Sequence, residues 1–151
     1  MAYQKLQVER ALKVIPSDTI NIPNVAGPSA SGTTDGTTAN KLVDSTASFT
    51  SNLVGYIVYS GTQIAKVTAV DDAGTLSLSA DIMISGESYT LYADDNNGCV
   101  LQSGLAGAIR VLTIGGDDVT FSVVAGAFVP VQVKRVLNSG TMSPNDIIAL
   151  W

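Results

Sequence analysis

Alternating apolar and polar positions dominate the last third of the chain and predict β-strands. This period-2 pattern is typical of half-buried strands. The alternating apolar positions are Val119, Phe121, Val123, Val129, Val131 and Val133. The sequence GGDD at residues 115–118 separates two of these runs and predicts a hairpin turn, because glycine and aspartate tolerate left-handed backbone conformations. The chain ends on DIIALW, and we expect this apolar tail to pack Trp151 and to close the fold by joining the N-terminal strands.

The N-terminal residues predict an extended arm or edge strand. Leu6 and Val8, and then Leu12 and Val14, keep the alternation of a strand, whereas a helical stripe would be poorly populated. The cluster PSDT at residues 16–19 predicts a turn. A short strand is predicted at residues 20–22, where the following proline ends it.

The middle of the chain predicts an insertion. Residues 24–40 are almost wholly Gly, Ser, Thr, Ala, Asp, Asn and Pro, which predicts a long loop because so little apolar area cannot offset the ordering entropy. Short alternating runs between residues 41 and 93 predict a small antiparallel sheet or barrel. The turn sequence DDNNG at residues 94–98 marks a second boundary.

These patterns together predict an all-β protein. We expect a parent domain that is an antiparallel β-sandwich, jelly-roll-like in character, with an inserted small β-barrel-like module. Residues 1–40 would supply the N-terminal arm, the first strands and the linker of the parent domain. Residues 41–93 would form the inserted module, and residues 94–151 the remainder of the parent domain.

Composition narrows the classes of partner. Charged residues make up 14% of the chain, against about 25% in an average domain, so we expect partners to cover part of the surface. The net charge of −5 and the lack of a basic run argue against nucleic-acid binding. No apolar stretch approaches the ~20 residues of a membrane span. Charged residues near the N-terminus interrupt the place of a signal sequence, which predicts synthesis in a cytoplasm.

No motif predicts catalysis or metal binding, and we assign no catalytic, cofactor-binding or metal residue. Cys99 is the only cysteine and the chain has no histidine, so a Cys–His pair is impossible and a packed thiol is favoured. The Asp-Asp pairs at residues 71–72, 94–95 and 117–118 could attract calcium, but turn chemistry is favoured because none has the spacing of a calcium loop.

Four tyrosines leave a carbohydrate-binding alternative open. Tyr56, Tyr59, Tyr89 and Tyr92 lie in the predicted insert, where they could form a sugar-binding platform. Cross-strand pairs that stiffen a small sheet are the favoured interpretation. A free-standing sugar-binding or hydrolytic protein is therefore a third class of function.

Several segments resemble small virion structural proteins of tailed bacteriophages, particularly those of marine and cyanobacterial phages. PSDT at residues 16–19, FVPVQVKRV at residues 128–136 and the final DIIALW resemble the short N-terminal strand and the C-terminal block that bracket a variable middle in that group. LVDSTASF at residues 42–49, with GYIVYS, IAKVTAVDD, TLSLSADI and ESYTLY after it, resembles a module of phage fibre and decoration proteins. The resemblance implies a non-enzymatic capsid or tail component without a cofactor.

The expected function is that of a capsid decoration, or cement, protein on the outside of the head shell. The alternative is a tail, baseplate or fibre-adaptor protein whose inserted module contacts a fibre or a host surface. Its partners would be further copies of itself, with a trimer favoured, and the major capsid or tail proteins of the virion. It would be made in the host bacterial cytoplasm and act in the virion. The predicted partner-binding residues are Leu6, Val8, Arg10, Leu12 and Trp151, with the arm of residues 2–15 as a clamp.

Overall fold

The structure is a computed structural model that describes residues 8–141 and 146–151 of the chain. Within them, twelve strands form two antiparallel sheets of six strands each, and a single turn of 3-10 helix spans Ser51–Leu53. The strands are β1 (Ala11–Lys13), β2 (Asn24–Thr33), β3 (Lys41–Val43), β4 (Ile57–Ser60), β5 (Gln63–Asp72), β6 (Thr75–Leu78), β7 (Ser88–Ala93), β8 (Cys99–Ser103), β9 (Gly107–Thr113), β10 (Asp118–Val123), β11 (Phe128–Val136) and β12 (Ile147–Leu150). The predicted all-β class with antiparallel sheets is confirmed, and two such sheets are consistent with a β-sandwich.

The chain divides into two compact units, and one interrupts the other in sequence. The terminal unit consists of residues up to Ile22 together with Asn96–Trp151, and the central unit is Pro23–Asp95. Each unit contains one of the sheets and a hydrophobic core of its own. The first boundary thus lies between residues 22 and 23, well before the predicted start of the insert at residue 41.

The terminal unit joins the two ends of the chain in one sheet. Its strand order is β1-β12-β8-β11-β9-β10, so the tail strand β12 lies between β1 and β8. Ala11 pairs with Leu150, as expected for a tail that joins the N-terminal strands. The buried side chains of this core are Val14, Ile22, Cys99, Leu101, Ile109, Val111, Val129, Val133, Val136, Ile147 and Ala149. They come from β8, β9, β11 and β12 and from the N-terminal residues Val14 and Ile22, so this core depends on both ends of the chain.

The predicted hairpin at residues 115–118 is confirmed as the turn between β9 and β10. Gly116 has a φ of +93°, in the left-handed region that favours glycine. The Gly116 N–H donates to the Thr113 carbonyl, and the Thr113 N–H donates to the Asp117 carbonyl. This turn sets the register in which Val119 faces Val111 and Phe121 faces Ile109.

The central unit is a continuous piece of chain whose sheet has the order β2-β7-β4-β5-β6-β3. Its core is built from inward positions of the successive short strands, such as Leu42, Val58, Val67, Leu76 and Leu91. The Asp35 N–H, just after β2, donates to the Val43 carbonyl at the end of β3. This bond connects the two outer strands at one point, whereas barrel-like closure stays a prediction, as does the jelly-roll-like character of the parent domain.

The loop predicted at residues 24–40 is wrong for its first ten residues, which form β2 and pair with β7. Gly32 lies opposite Tyr89, and a Cβ atom at Gly32 would come within 2.6 Å of the Tyr89 hydroxyl. A glycine is therefore required at this position of β2, where the strand lies beside β7. The ordering entropy is offset by ladder hydrogen bonds rather than by burial of the segment's own side chains.

The strand predicted at residues 20–22 is also wrong, because this segment is irregular. It is nevertheless held in place, since the Ile22 N–H donates to the Lys134 carbonyl and the Ile22 side chain is buried. The Arg135 guanidinium donates from Nε and Nη2 to the Asn21 side-chain oxygen, at 3.0 and 2.8 Å. Hydrogen bonds from the Arg135 side chain thus help to hold residues 20–22, where a strand was predicted.

Candidate assembly surface

Strand β11 presents a row of outward-facing residues on the terminal unit. Its inward positions Val129 and Val133 are fully buried, whereas Phe128, Pro130 and Gln132 are exposed. A register shift between Val129 and Val133 interrupts the ladder there, which is where a strand can accommodate proline. The alternation places an aromatic ring and a proline on the solvent side of the sheet.

A shallow depression of about 450 Å³ lies beside this row. It is lined by Val100, Phe128, Pro130, Val131 and Gln132. Phe128 leaves 53% of its surface accessible to solvent, which is high for an aromatic residue in a strand. A large side chain from a partner could pack against this ring and the neighbouring aliphatic groups.

Exposed large apolar side chains are concentrated on the terminal unit. Of nine such residues in the described part of the chain, seven belong to this unit and two, Val54 and Ile84, to the central unit. The seven are Val8, Leu105, Ile114, Val119, Val124, Phe128 and Ile148. The terminal unit therefore exposes more large apolar side chains than the central unit does.

Four of the predicted partner-binding residues are described, and they lie near the β1–β12 edge of the same sheet. Val8 and Arg10 are exposed, Leu12 is half-buried in β1, and Leu6 lies outside the described residues. Trp151 is half-buried against the terminal core, and its indole N–H donates to the Asn96 side-chain oxygen at 3.2 Å.

Backbone hydrogen bonds bring Arg10 and Trp151 together. The Trp151 N–H donates to the Arg10 carbonyl at 3.0 Å, and the Glu9 N–H donates to the Trp151 carbonyl at 2.7 Å. Val14, at the end of the predicted arm, is buried in the core. Backbone hydrogen bonds and strand pairing thus hold residues 9–14 against β12 and Trp151.

A second shallow depression follows this edge. It is lined by Ala11, Leu12, Lys13, Asp146 and Ile148. Ile148 is exposed on β12, while its neighbours Ile147 and Ala149 are buried. Aliphatic side chains between a lysine and an aspartate make this edge amphipathic.

The central unit contains a buried carboxylate, Asp44, whose hydrogen bonds are structural. It accepts hydrogen bonds from the Thr46 hydroxyl at 2.6 Å, the Thr46 N–H at 2.9 Å and the Tyr89 hydroxyl at 2.7 Å. The Thr46 hydroxyl is the main cause that lowers the pKa of Asp44, against the opposing effect of burial. Burial and the bond to Asp44 raise the pKa of Tyr89. The carboxylate thus stays charged and holds the loop after β3 against β7.

Each predicted Asp-Asp turn contains an aspartate that pairs with a basic residue. Lys41 binds Asp71 at 2.6 Å, Lys66 binds Asp94 at 2.7 Å, and Arg110 binds Asp118 at 2.6 Å. The Asp72 side chain also accepts the Gly74 N–H, which closes its turn. The bond to Asp72 is turn chemistry, as predicted, whereas Asp71, Asp94 and Asp118 form ion pairs with residues outside their own turns.

The four tyrosines do not form one platform. Tyr89 is buried and packs against Phe49, with ring centroids 6.3 Å apart. Tyr59 and Tyr92 form an edge-to-face pair with centroids 5.7 Å apart, on neighbouring strands. The favoured cross-strand interpretation is confirmed for this pair, and Tyr89 cannot stack on a sugar in this conformation.

Cys99 is packed, as predicted from the sequence. Only 1% of its surface is accessible, and the thiol lies 3.4 Å from the Val133 carbonyl oxygen. Burial raises the pKa of the Cys99 thiol to about 12, so the reactive thiolate is scarce.

The exposed residues on β11 were missed by sequence reasoning, although their signal was present. Phe128, Pro130 and Gln132 have the opposite parity to the apolar positions of β11, and alternation therefore places them outside. An aromatic residue at an outward position is the sign of a contact surface. The exposure of Val124, at 70%, had no such signal because it lies in a turn.

The described residues contain neither a metal-binding cluster nor a membrane-spanning helix. In the described ranges, no three His, Cys, Asp or Glu side chains group closely enough to hold a metal ion. No helix in that part of the chain has the length and apolar character to cross a membrane. Comparison with protein families, curated proteins and solved structures gave no match to this chain.

Proposed function

We propose that the protein is a non-enzymatic structural subunit of a tailed-phage virion, used as a capsid decoration protein on the outside of the head. The observation that carries the proposal is the excess of exposed large apolar side chains on the terminal unit, Phe128 among them. Contacts of this kind are expected where a small subunit is held by its neighbours. The resemblance of the sequence to small virion proteins supplies the class of assembly.

The division into units supports a role in which the terminal unit attaches to the head. The terminal unit has most of the exposed apolar residues, and its sheet includes both ends of the chain. The central unit has fewer such residues and two of the three described ion pairs, Lys41–Asp71 and Lys66–Asp94. A surface of that kind is suited to solvent.

Copy number in purified particles tests the proposal most directly. Hundreds of copies per virion are expected of a decoration protein, measured by quantitative mass spectrometry against the major capsid protein. A dozen or fewer copies would contradict decoration and favour the tail, baseplate or fibre-adaptor alternative. The same measurement would find no copies if the protein acts outside the virion.

A matched pair of substitutions tests which unit attaches. Phe128→Asp places a charge in the apolar depression and should reduce binding to heads that lack the protein by at least tenfold, because a buried partner contact would have to desolvate the carboxylate. Ile84→Asp is the control, since Ile84 is 64% exposed on the central unit. Equal binding by wild type and Phe128→Asp, or loss only with Ile84→Asp, would contradict attachment through the terminal unit.

A further inference from the structure

Strand β10 is one edge of the terminal sheet, and among the described residues no strand pairs with its outer side. It is six residues long, and its neighbour on one side is β9. Hydrogen bonding between Thr113 and Asp117 sets the ladder so that Val119, Phe121 and Val123 direct their N–H and C=O groups toward β9. The backbone groups of Asp118, Thr120 and Ser122 therefore point away from the sheet. Thr120 and Ser122 are both exposed.

The other three sheet edges have features that discourage strand addition. β1 and β3 are only three residues long, and their exposed or ion-paired lysines are Lys13 and Lys41. β2 contains Pro28, which has no N–H, and a register shift interrupts its pairing with β7. Short edges, charges, prolines and bulges are the usual means by which sheets avoid pairing with other chains.

Strand β10 has none of these features. Its sequence DVTFSV contains no lysine, proline or glycine. Its one charge, Asp118, accepts two hydrogen bonds from the Arg110 guanidinium of β9, from Nε at 2.9 Å and from Nη2 at 2.6 Å. This charge-assisted pair lowers the pKa of Asp118 and offsets the charge that could repel a second strand.

The core-facing row of β10 is also incompletely covered. Phe121 and Val123 pack against the terminal core but are only half-buried, and Val119 on the same face is 37% exposed. The side chains of an additional strand beside β10 would lie next to this row on the same face of the sheet. The edge therefore offers both backbone hydrogen bonds and apolar contact.

We infer that β10 pairs in antiparallel fashion with β10 of a second copy of this chain, with Phe121 on the two-fold axis. In this register Thr120 faces Ser122 of the copy and Val119 faces Val123 of the copy. Polar residues meet polar residues on one face, and apolar residues meet apolar residues on the other. The outward backbone groups of Thr120 and Ser122 then form hydrogen-bonded pairs, which the geometry of β10 requires.

The self-complementary register is what selects a second copy over an unrelated strand. A two-fold seam predicts an even number of chains, which differs from the trimer that the resemblance favoured. The pairing does not depend on the proposed role in a virion, since it uses only the edge of the terminal sheet. Its test in solution is therefore separate from the copy number in particles.

Light scattering on the purified full-length protein tests the pairing. The wild type should have twice the mass of one chain, and Thr120→Lys/Ser122→Lys should shift the protein to the mass of one chain, because lysines would face each other across the seam. Thr62→Lys/Ser85→Lys is the matched control, with the same added charge at exposed turns of the central unit. A wild type of one or three chains, or an unchanged mass in the edge variant, would overturn the inference.

Cysteine cross-linking tests the register without depending on the folding of the lysine variant. Facing residues of a hydrogen-bonded pair have Cα atoms about 5.5 Å apart, within disulfide range. Thr120→Cys/Ser122→Cys should form a disulfide-linked dimer on oxidation, whereas Thr120→Cys alone should not. Efficient cross-linking by the single variant would place the two-fold axis at Thr120 and overturn the proposed register, and absence of cross-linking by both would overturn the pairing. Cys99 does not interfere because it is buried.

Discussion

The terminal and central units are similar in size and architecture but differ in how the chain builds them. The terminal unit needs residues separated by most of the chain, since β1 pairs with β12. The central unit is continuous, and its strands β4, β5 and β6, which follow one another along the chain, are neighbours in its sheet. Closing a long loop costs more entropy than closing a hairpin, so the terminal unit depends more on its last contacts.

The two units also differ in their exposed apolar residues and in their sheet edges. The terminal unit has most of the exposed apolar residues and the edge strand β10, with no described strand on its outer side, whereas the central unit has guarded edges. We propose that assembly contacts belong to the same unit that joins the two ends of the chain.

Removal of residues 148–151 should have the largest effect. The truncation deletes most of β12, including the buried Ala149, and separates β1 from β8. We expect amide hydrogen exchange in β8 to lose its protection while exchange in β7 stays slow, because the two strands belong to different cores. Retained protection in β8 would show that the terminal core does not depend on the tail. Simultaneous loss in β7 would show that the two units do not fold separately.

An intermediate effect is expected from the buried hydrogen bond of the central unit. Tyr89→Phe removes one donor from the buried Asp44 carboxylate and should lower the free energy of unfolding by about 1–3 kcal/mol, measured by denaturant titration. Tyr56→Phe is the control, because its partly buried ring packs on the same core and its hydroxyl has no hydrogen bond to the described residues. Equal losses in the two variants would assign the effect to packing rather than to the hydrogen bond.

The pH dependence of stability should follow from the same carboxylate. The pKa of Asp44 is lowered from its ordinary value of 3.8, so its contribution is present above 3.8 and is lost as the pH falls through the lower value of the folded state. We therefore expect the free energy of unfolding to fall below about pH 4. Asp44→Asn should flatten this fall, since the amide does not titrate. If the free energy of unfolding of Asp44→Asn falls below about pH 4 as steeply as that of the wild type, the assignment to Asp44 is contradicted.

The smallest perturbation is chemical modification of the Cys99 thiol, whose rate reports how well the terminal core buries this residue. Cys99 is the only cysteine of the chain, and its raised pKa of about 12 predicts that a thiol reagent at pH 8 modifies the folded protein about a thousandfold more slowly than the unfolded chain. The rate should rise when residues 148–151 are removed and stay unchanged in Tyr89→Phe. Rapid modification of the folded wild type would contradict the burial of this residue.

Local patterns in the sequence predicted the strands with clear alternation. The hairpin between β9 and β10, the inward face of β11 and the packing of Cys99 and the tail followed from residue type and period alone. They did so because burial on one face of a sheet leaves a period-2 pattern in any strand that has enough apolar residues. The outward row at Phe128 was available from the same parity.

Only the tertiary structure decided which segments become strands without such a pattern and which strands become edges. β2 has little apolar surface of its own, and its order comes from pairing with β7. That pairing places Gly32 opposite Tyr89, where a Cβ atom would come too close to the Tyr89 hydroxyl. The open position of β10 and the division at residue 22 depend on pairings between distant strands. Hydrogen bonds between strands are independent of side-chain identity, so the sequence of one strand does not specify its neighbour or the lack of one.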